Sequence, residues 1–171
     1  MNEPQIVFQG IRFRVERTTQ TGADGAEHVR DIVRHPGSVA IVPLLADGRV
    51  CLIENYRVAA GQKLLELPAG TLEPGEDPLA CARRELAEET GYRAGQIRPL
   101  ATFYLSPGIL DERMSLYLAT SLEPGPMALE AGEDILTRST PWAEALAMVV
   151  DGRIQDAKTM LGLLFWRQFA M

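Results

Sequence analysis

Residues 77–90, DPLACARRELAEET, constrain the fold more than any other stretch, because they read as one helix with both ends written into the sequence. Asp77 can accept hydrogen bonds from the first unpaired N–H groups, and Pro78 suits the first turn, where its missing N–H costs nothing. Gly91 can adopt the left-handed conformation that ends a helix. Between these ends Leu79, Ala82 and Leu86 follow the i, i+3, i+7 spacing of a buried stripe. Glu85, Glu88 and Glu89 fall on one side at spacings of three and four, which puts their Cβ atoms roughly 5–6 Å apart. Such a helix lays one side on a core and brings carboxylates to a cleft, with Glu85 and Glu89 expected near the cleft surface. Three like charges repel unless solvent or a cation lies among them, and Mg²⁺ is the natural hard cation for carboxylate and phosphate oxygens.

The rest of the chain supplies mostly strands. From Gln5 to Thr19 apolar and polar residues alternate, clearest at Ile11, Phe13 and Val15 against Arg12, Arg14 and Glu16, which predicts one strand. TGADG (21–25) is a turn and Glu27 to Arg34 a returning strand, so residues 1–36 are expected to form a small antiparallel unit ahead of a main domain, 37–171. SVAIVPLL (38–45) and RVCLIENY (49–56), joined by ADG, read as a core hairpin, and LLELPAG (64–70) as a short strand bending at Pro68. LATFYLS (100–106) and MSLYLAT (114–120) flank the loop PGILDER, and ILTRST (135–140) is a further strand. Thr140 is expected to cap a helix that has Pro141 at its first position and stops at Asp151-Gly152; a last helix spans about Asp156 to Phe169. Without regular βαβ alternation, the pattern predicts an α/β sandwich with a mixed sheet rather than a Rossmann-type parallel sheet.

At 171 residues the chain suits one domain, and its 46% hydrophobic and 23% charged content is globular. A net charge of −6 argues against a nucleic-acid partner, which calls for a basic face. Cys51 and Cys81 are 30 positions apart with no clustered His or Cys, so neither a zinc site nor a disulfide framework is indicated. No apolar run approaches the roughly 20 residues of a membrane span, and MNEPQIVF is unlike a secretory leader. A cytoplasmic protein with no membrane partner is expected.

The spacing of Gly70, Glu76, Arg84, Glu85, Leu86, Glu88, Glu89 and Gly91 matches the Nudix box of the Nudix hydrolases, departing only at Tyr92, where an aliphatic residue is more usual. The resemblance implies a Nudix-type α/β/α sandwich, preceded here by the small N-terminal antiparallel strand unit. It implies that Glu85 and Glu89 bind Mg²⁺ or Mn²⁺, that Glu88 is a further ligand or positions water, and that the Ala69 carbonyl joins the metal. It also implies that Arg84 orients a carboxylate and that Glu76 supports the loop. The reaction implied is hydrolysis of a nucleoside diphosphate linked to a second group.

Outside the box the chain is similar to the ADP-ribose pyrophosphatase branch. Pro107 lies 16 residues beyond Gly91, and SPGILDER (106–113) resembles that branch's loop, whose glutamate, here Glu112, helps activate water. Asp111 is the neighbouring alternative for that role. By the same resemblance Arg57 contacts the diphosphate, Pro107 and Gly108 belong to the substrate site, and the N-terminal unit crosses to a second subunit of a homodimer and holds the adenine. The activity implied is cleavage of ADP-ribose to AMP and ribose 5-phosphate. A broader nucleotide-sugar or dinucleotide pyrophosphatase is the alternative within the enzyme class, and a non-catalytic ADP-ribose-binding module is the alternative outside it.

Overall fold

The computed structural model describes residues 3–129, 132 and 134–169. In chain order the elements are β1 (Gln5–Gln9), β2 (Arg14–Thr21), β3 (Glu27–Arg34), β4 (Ser38–Pro43), β5 (Arg49–Arg57), β6 (Gln62–Glu66), β7 (Ala69–Thr71), α1 (Pro78–Thr90), β8 (Tyr92–Tyr104), β9 (Arg113–Pro124), β10 (Ile135–Pro141), α2 (Trp142–Val150) and α3 (Ala157–Phe169). They form three sheets: β1-β2-β3, the mixed sheet β7-β4-β9-β8, and β10-β5-β6. Only the β4–β9 pairing is parallel among the strand pairs described.

Strand β4 holds the layers together. Val39 and Ile41 point to one side and pack with Cys81, Ala82 and Leu86 of α1 and with Tyr117 and Ala119. Ala40 and Val42 point to the other side, into a core shared with Val50 and Leu52 of β5, Ala145 and Met148 of α2, and Leu163 of α3. A strand buried on both faces has no polar side, which is why SVAIVP reads as an unbroken apolar run. The result is an α/β sandwich with α1 on one face of the mixed sheet and α2 and α3 on the other, as the resemblance implied. No helix of the described residues is long and apolar enough to cross a membrane.

Several local expectations change. The two runs read as a core hairpin pair only at the Leu44–Val50 bridge and then part into different sheets. Each is apolar enough to be a central strand: β4 lies between β7 and β9, and β5 between β10 and β6. The N-terminal run is not one strand but two, divided at Gly10, whose N–H donates to the Phe13 carbonyl at 2.9 Å. Ile11 at that bend is fully exposed, whereas Glu16 on β2 is buried. Thr140 caps no helix: it lies within β10, one residue before its end, and donates its hydroxyl to the Arg138 carbonyl, while α2 begins at Trp142 with Pro141 at the cap. On α1 the stripe is Cys81, Ala82 and Leu86, with Leu79 exposed.

Candidate active site

The caps of α1 form as their residue types require. Asp77 Oδ1 accepts from the Leu79 and Ala80 N–H groups at 3.0 and 3.1 Å, and Gly91, at φ 72°, returns its N–H to the Ala87 carbonyl. With its ends so fixed, α1 presents Arg84, Glu85, Glu88 and Glu89 to a cleft of about 900 Å³.

Arg84 organises this wall. Its Nε and Nη2 grip both oxygens of Glu76 at 3.0 and 3.1 Å, and its Nη1 donates to Glu85 Oε1 at 2.8 Å and Glu88 Oε2 at 2.9 Å. The hydrogen bonds from Arg84 hold the Glu76 carboxyl down to about 2, against the opposing effect of partial desolvation. The same contacts raise the pKa of Arg84 itself. Glu76 Oε2 also accepts from the Glu73 N–H at 3.0 Å, fixing the loop ahead of the helix.

The other side of the carboxylate cluster is the edge strand β7. Pro68 and Leu72 bond to β4, through Ile41 N–H to Pro68 O and Leu72 N–H to Gly37 O. Antiparallel alternation therefore turns the N–H and C=O of Ala69 away from β4, toward α1. The Ala69 N–H donates to Glu89 Oε2 at 2.9 Å. Its carbonyl lies on that same side. Glu89 lines the cleft yet is only 3% exposed, and this backbone donor compensates its burial. Glu85 lies against Gly70, where a Cβ would come within 1.8 Å of its Oε1, so the missing side chain is the space that holds the carboxylate.

Arg84 stands among these acids, and among the described residues no group of three or more His, Cys, Asp or Glu converges as a metal cluster. The donor chemistry nonetheless fits a divalent metal: three carboxylates and a backbone carbonyl are hard oxygen donors of the kind Mg²⁺ and Mn²⁺ take, and the Gly70 recess keeps one carboxylate at the cleft.

Across the cleft, Glu112 Oε1 accepts from the buried Ser38 hydroxyl at 2.6 Å, and His35 Nδ1 lies 4.0 Å from it. Asp111 is committed elsewhere, accepting from the His35 N–H at 2.8 Å and from Arg34 Nη1 at 3.1 Å. Arg57 clasps Glu66 with Nε and Nη2 at 2.8 and 2.7 Å. Glu66 is fully buried and also receives Lys158 Nζ, which reaches Asp156 Oδ1 at 3.0 Å. Burial alone pushes the Glu66 pKa up, but the bonds from Arg57 and Lys158 win and lower it. Pro107 and Gly108 do not join this cleft; both are exposed in the turn that precedes Asp111.

Ser38, Asp156 and Lys158 join the cleft, and Glu66 lies behind it, without belonging to any motif of the sequence. One signal was available: Lys158 is one of only two lysines beside 15 arginines.

An acidic, all-oxygen wall facing cations and a further carboxylate is suited to hydrolysis at an anionic phosphate linkage. The NUDIX domain is matched over residues 34–160. A methanol dehydrogenase activator of Bacillus methanolicus is 38% identical over 93% of this chain and 87% of its own length. An ADP-ribose pyrophosphatase of Bacillus subtilis is 35% identical over 83% of this chain and 78% of its own. A solved structure described as an ADP compounds hydrolase superposes with a TM-score of 0.83, at 23% identity, over 99% of this chain and 95% of that one, which shows the fold. The chain belongs to the Nudix family. It is a Nudix hydrolase, an enzyme acting on a pyrophosphate bond.

Proposed function

We propose that the protein hydrolyses ADP-ribose to AMP and ribose 5-phosphate with Mg²⁺ or Mn²⁺ as cofactor. The observation that carries this reading is the pairing, across one cleft, of the α1 carboxylates beside Ala69 with Glu112 opposite. The choice of ADP-ribose is supported by the Bacillus subtilis relative of that name.

Glu85, Glu88, Glu89 and the Ala69 carbonyl would hold the metal, which when bound offsets phosphate charge and makes water more acidic. Arg84, braced by Glu76, keeps Glu85 and Glu88 in place. Arg57 has one edge of its guanidinium fixed by Glu66 and lines the cleft, where it can orient the diphosphate. Water oxygen bonds to one phosphorus as the bridging P–O bond breaks, and Glu112 takes the water proton. Pro107 and Gly108 would shape the turn that carries Glu112 rather than touch substrate in this arrangement.

The test is a panel of ADP-ribose, other nucleotide sugars and dinucleotides compared by kcat/KM. ADP-ribose should lead, with AMP as product and no turnover in EDTA. Rapid cleavage of another member with none of ADP-ribose would refute the assignment.

The same reading makes the protein a cytoplasmic homodimer in which the N-terminal strand unit packs on the second subunit. The exposed Ile6, Val7, Phe8, Ile11, Phe13 and Val29 on and beside the N-terminal sheet support this, since so many exposed large apolar side chains on so small a sheet call for a cover. Sedimentation equilibrium should give twice the chain mass; a monomer at micromolar concentration would rule it out. Two free buried cysteines suit a reducing compartment, and fractionation of cells checks the location.

A further inference from the structure

The loop that carries Glu112 is bonded to the N-terminal sheet rather than left to itself. Val33 N–H donates to the Ile109 carbonyl at 2.8 Å and Asp111 N–H to the Val33 carbonyl at 3.1 Å, so the loop adds a short parallel bridge to the end of β3. Asp111 reinforces the bridge with its side chain, through the His35 N–H and Arg34 Nη1. Arg34 in turn donates its Nε to Glu16 Oε2 at 2.7 Å, and Arg14 donates its Nε to Glu16 Oε1 at 2.7 Å. Charges alternate along this chain, Arg14–Glu16–Arg34–Asp111, which runs from β2 through β3 into the loop. Glu16, which joins the two arginines, is 8% exposed and does not line the cleft.

The next residue after Asp111 is Glu112, with its Oε1 on the Ser38 hydroxyl. A loop displaced by an ångström would take Glu112 off Ser38. We propose that the Arg14–Glu16–Arg34–Asp111 chain positions Glu112 for hydrolysis, so that Glu16 and Asp111 are positioning residues and the N-terminal sheet contributes to turnover as well as to architecture. Asp111 is then a clamp and not the base, since both its oxygens are engaged in holding the loop. The inference rests on Glu112 as the group that takes the water proton, and it does not depend on which nucleotide sugar is preferred.

A mutant cycle tests it with the full chain, Mg²⁺ and the best substrate of the panel. Glu16→Gln and Asp111→Asn should each lower kcat about 10- to 100-fold with KM within about threefold, the size expected when a reacting group moves by about an ångström. In a Glu112→Gln background neither substitution should cost anything further, because the group they position is gone. A merely structural role would lower the melting temperature and leave this non-additivity absent. Asp111→Asn lies nearer the surface and serves if Glu16→Gln fails to fold. Full activity of both variants, or losses that multiply with that of Glu112→Gln, would overturn the clamp while leaving Glu112 as the base. Full activity of Glu112→Gln would overturn the base assignment and the clamp with it.

Discussion

Gly70→Ala isolates the role of the Gly70 recess. Gly70 does not occupy the left-handed region, so space rather than backbone conformation calls for glycine. An added Cβ would lie 1.8 Å from Glu85 Oε1 and 1.9 Å from its Cδ, where ordinary contact begins at about 3.4 Å. The carboxylate must therefore swing away by more than about an ångström, giving up its 2.8 Å bond from Arg84. An off-rotamer Glu85 costs about 0.5–1.5 kcal/mol. Replacing glycine by alanine in an ordinary strand returns about 0.4–1 kcal/mol through the unfolded chain. The two nearly cancel, so the melting temperature should move by no more than about 4 °C. Activity should not survive: if Glu85 binds the metal as proposed, displacing its carboxylate by an ångström implies a loss of about 100-fold in kcat/KM, or about 2.7 kcal/mol. Thermal melts with and without Mg²⁺, beside steady-state kinetics, separate the two effects, because the stabilisation by Mg²⁺ should shrink with its affinity. A variant within threefold of the parent in kcat/KM, with its Mg²⁺-dependent shift intact, would refute the role given to Glu85 and Gly70.

Glu66→Gln should destabilise the fold by up to about 3–5 kcal/mol, since it removes the counter-charge shared by Arg57 and the buried Lys158 and leaves Lys158 only Asp156; a melting temperature unchanged within two degrees would contradict this. Glu76 is held down to about 2 from an ordinary 4.5, so its contribution to stability is full above about pH 4.5 and is lost as the pH falls toward 2. Arg84→Met should flatten that part of the acid-unfolding curve, and an unchanged curve would count against the Arg84–Glu76 clasp. Burial pushes the Cys51 thiol up to about 11 and the Cys81 thiol to about 12, so iodoacetamide at pH 8 should label neither in the native protein and both in guanidinium.

The parts of the site that were legible in the sequence are those whose determinants are local. Asp77, Pro78 and Gly91 fix α1 within 15 residues, and the spacing of Arg84, Glu85, Glu88 and Glu89 on one helix is geometry in itself. The parts that were not legible are made by strands that meet at long range. Ser38 reaches Glu112 across 74 positions, Arg34 reaches Asp111 across 77, and Lys158 reaches Glu66 across 92. No periodicity carries those pairings; they exist because β3 and β4 bring residues 33–38 beside the loop at 109–112, and because the first turn of α3 meets the end of β6 at Glu66 and Leu67. The division of 38–45 and 49–56 between two sheets was hidden for a related reason. A strand buried on both faces shows that it is central but not which neighbours it has.

Net charge misleads here for the same long-range reason. Residues 70–92 hold six acids and two bases, a net of −4 within a total of −6, so the chain as a whole looks ill-suited to an anionic substrate. Folding sorts these charges. The α1 carboxylates line one wall of the cleft, while Arg14, Arg34, Arg57 and Lys158 come from four other elements to line the rest. Each of these cations is already anchored to Glu16, Glu66, Asp111 or Asp156 behind it, which holds the guanidinium or ammonium group in place before any phosphate arrives. Anchoring lowers the attraction per charge but removes much of the side-chain entropy that a free arginine or lysine would lose on binding. For a diphosphate whose negative charge a divalent metal also offsets, fixed direction matters more than total charge. Specificity on that side of the cleft should therefore follow the geometry of the anchors, and shortening an anchor, as in Glu66→Asp, should impair binding more than removing an unanchored surface charge such as Arg113.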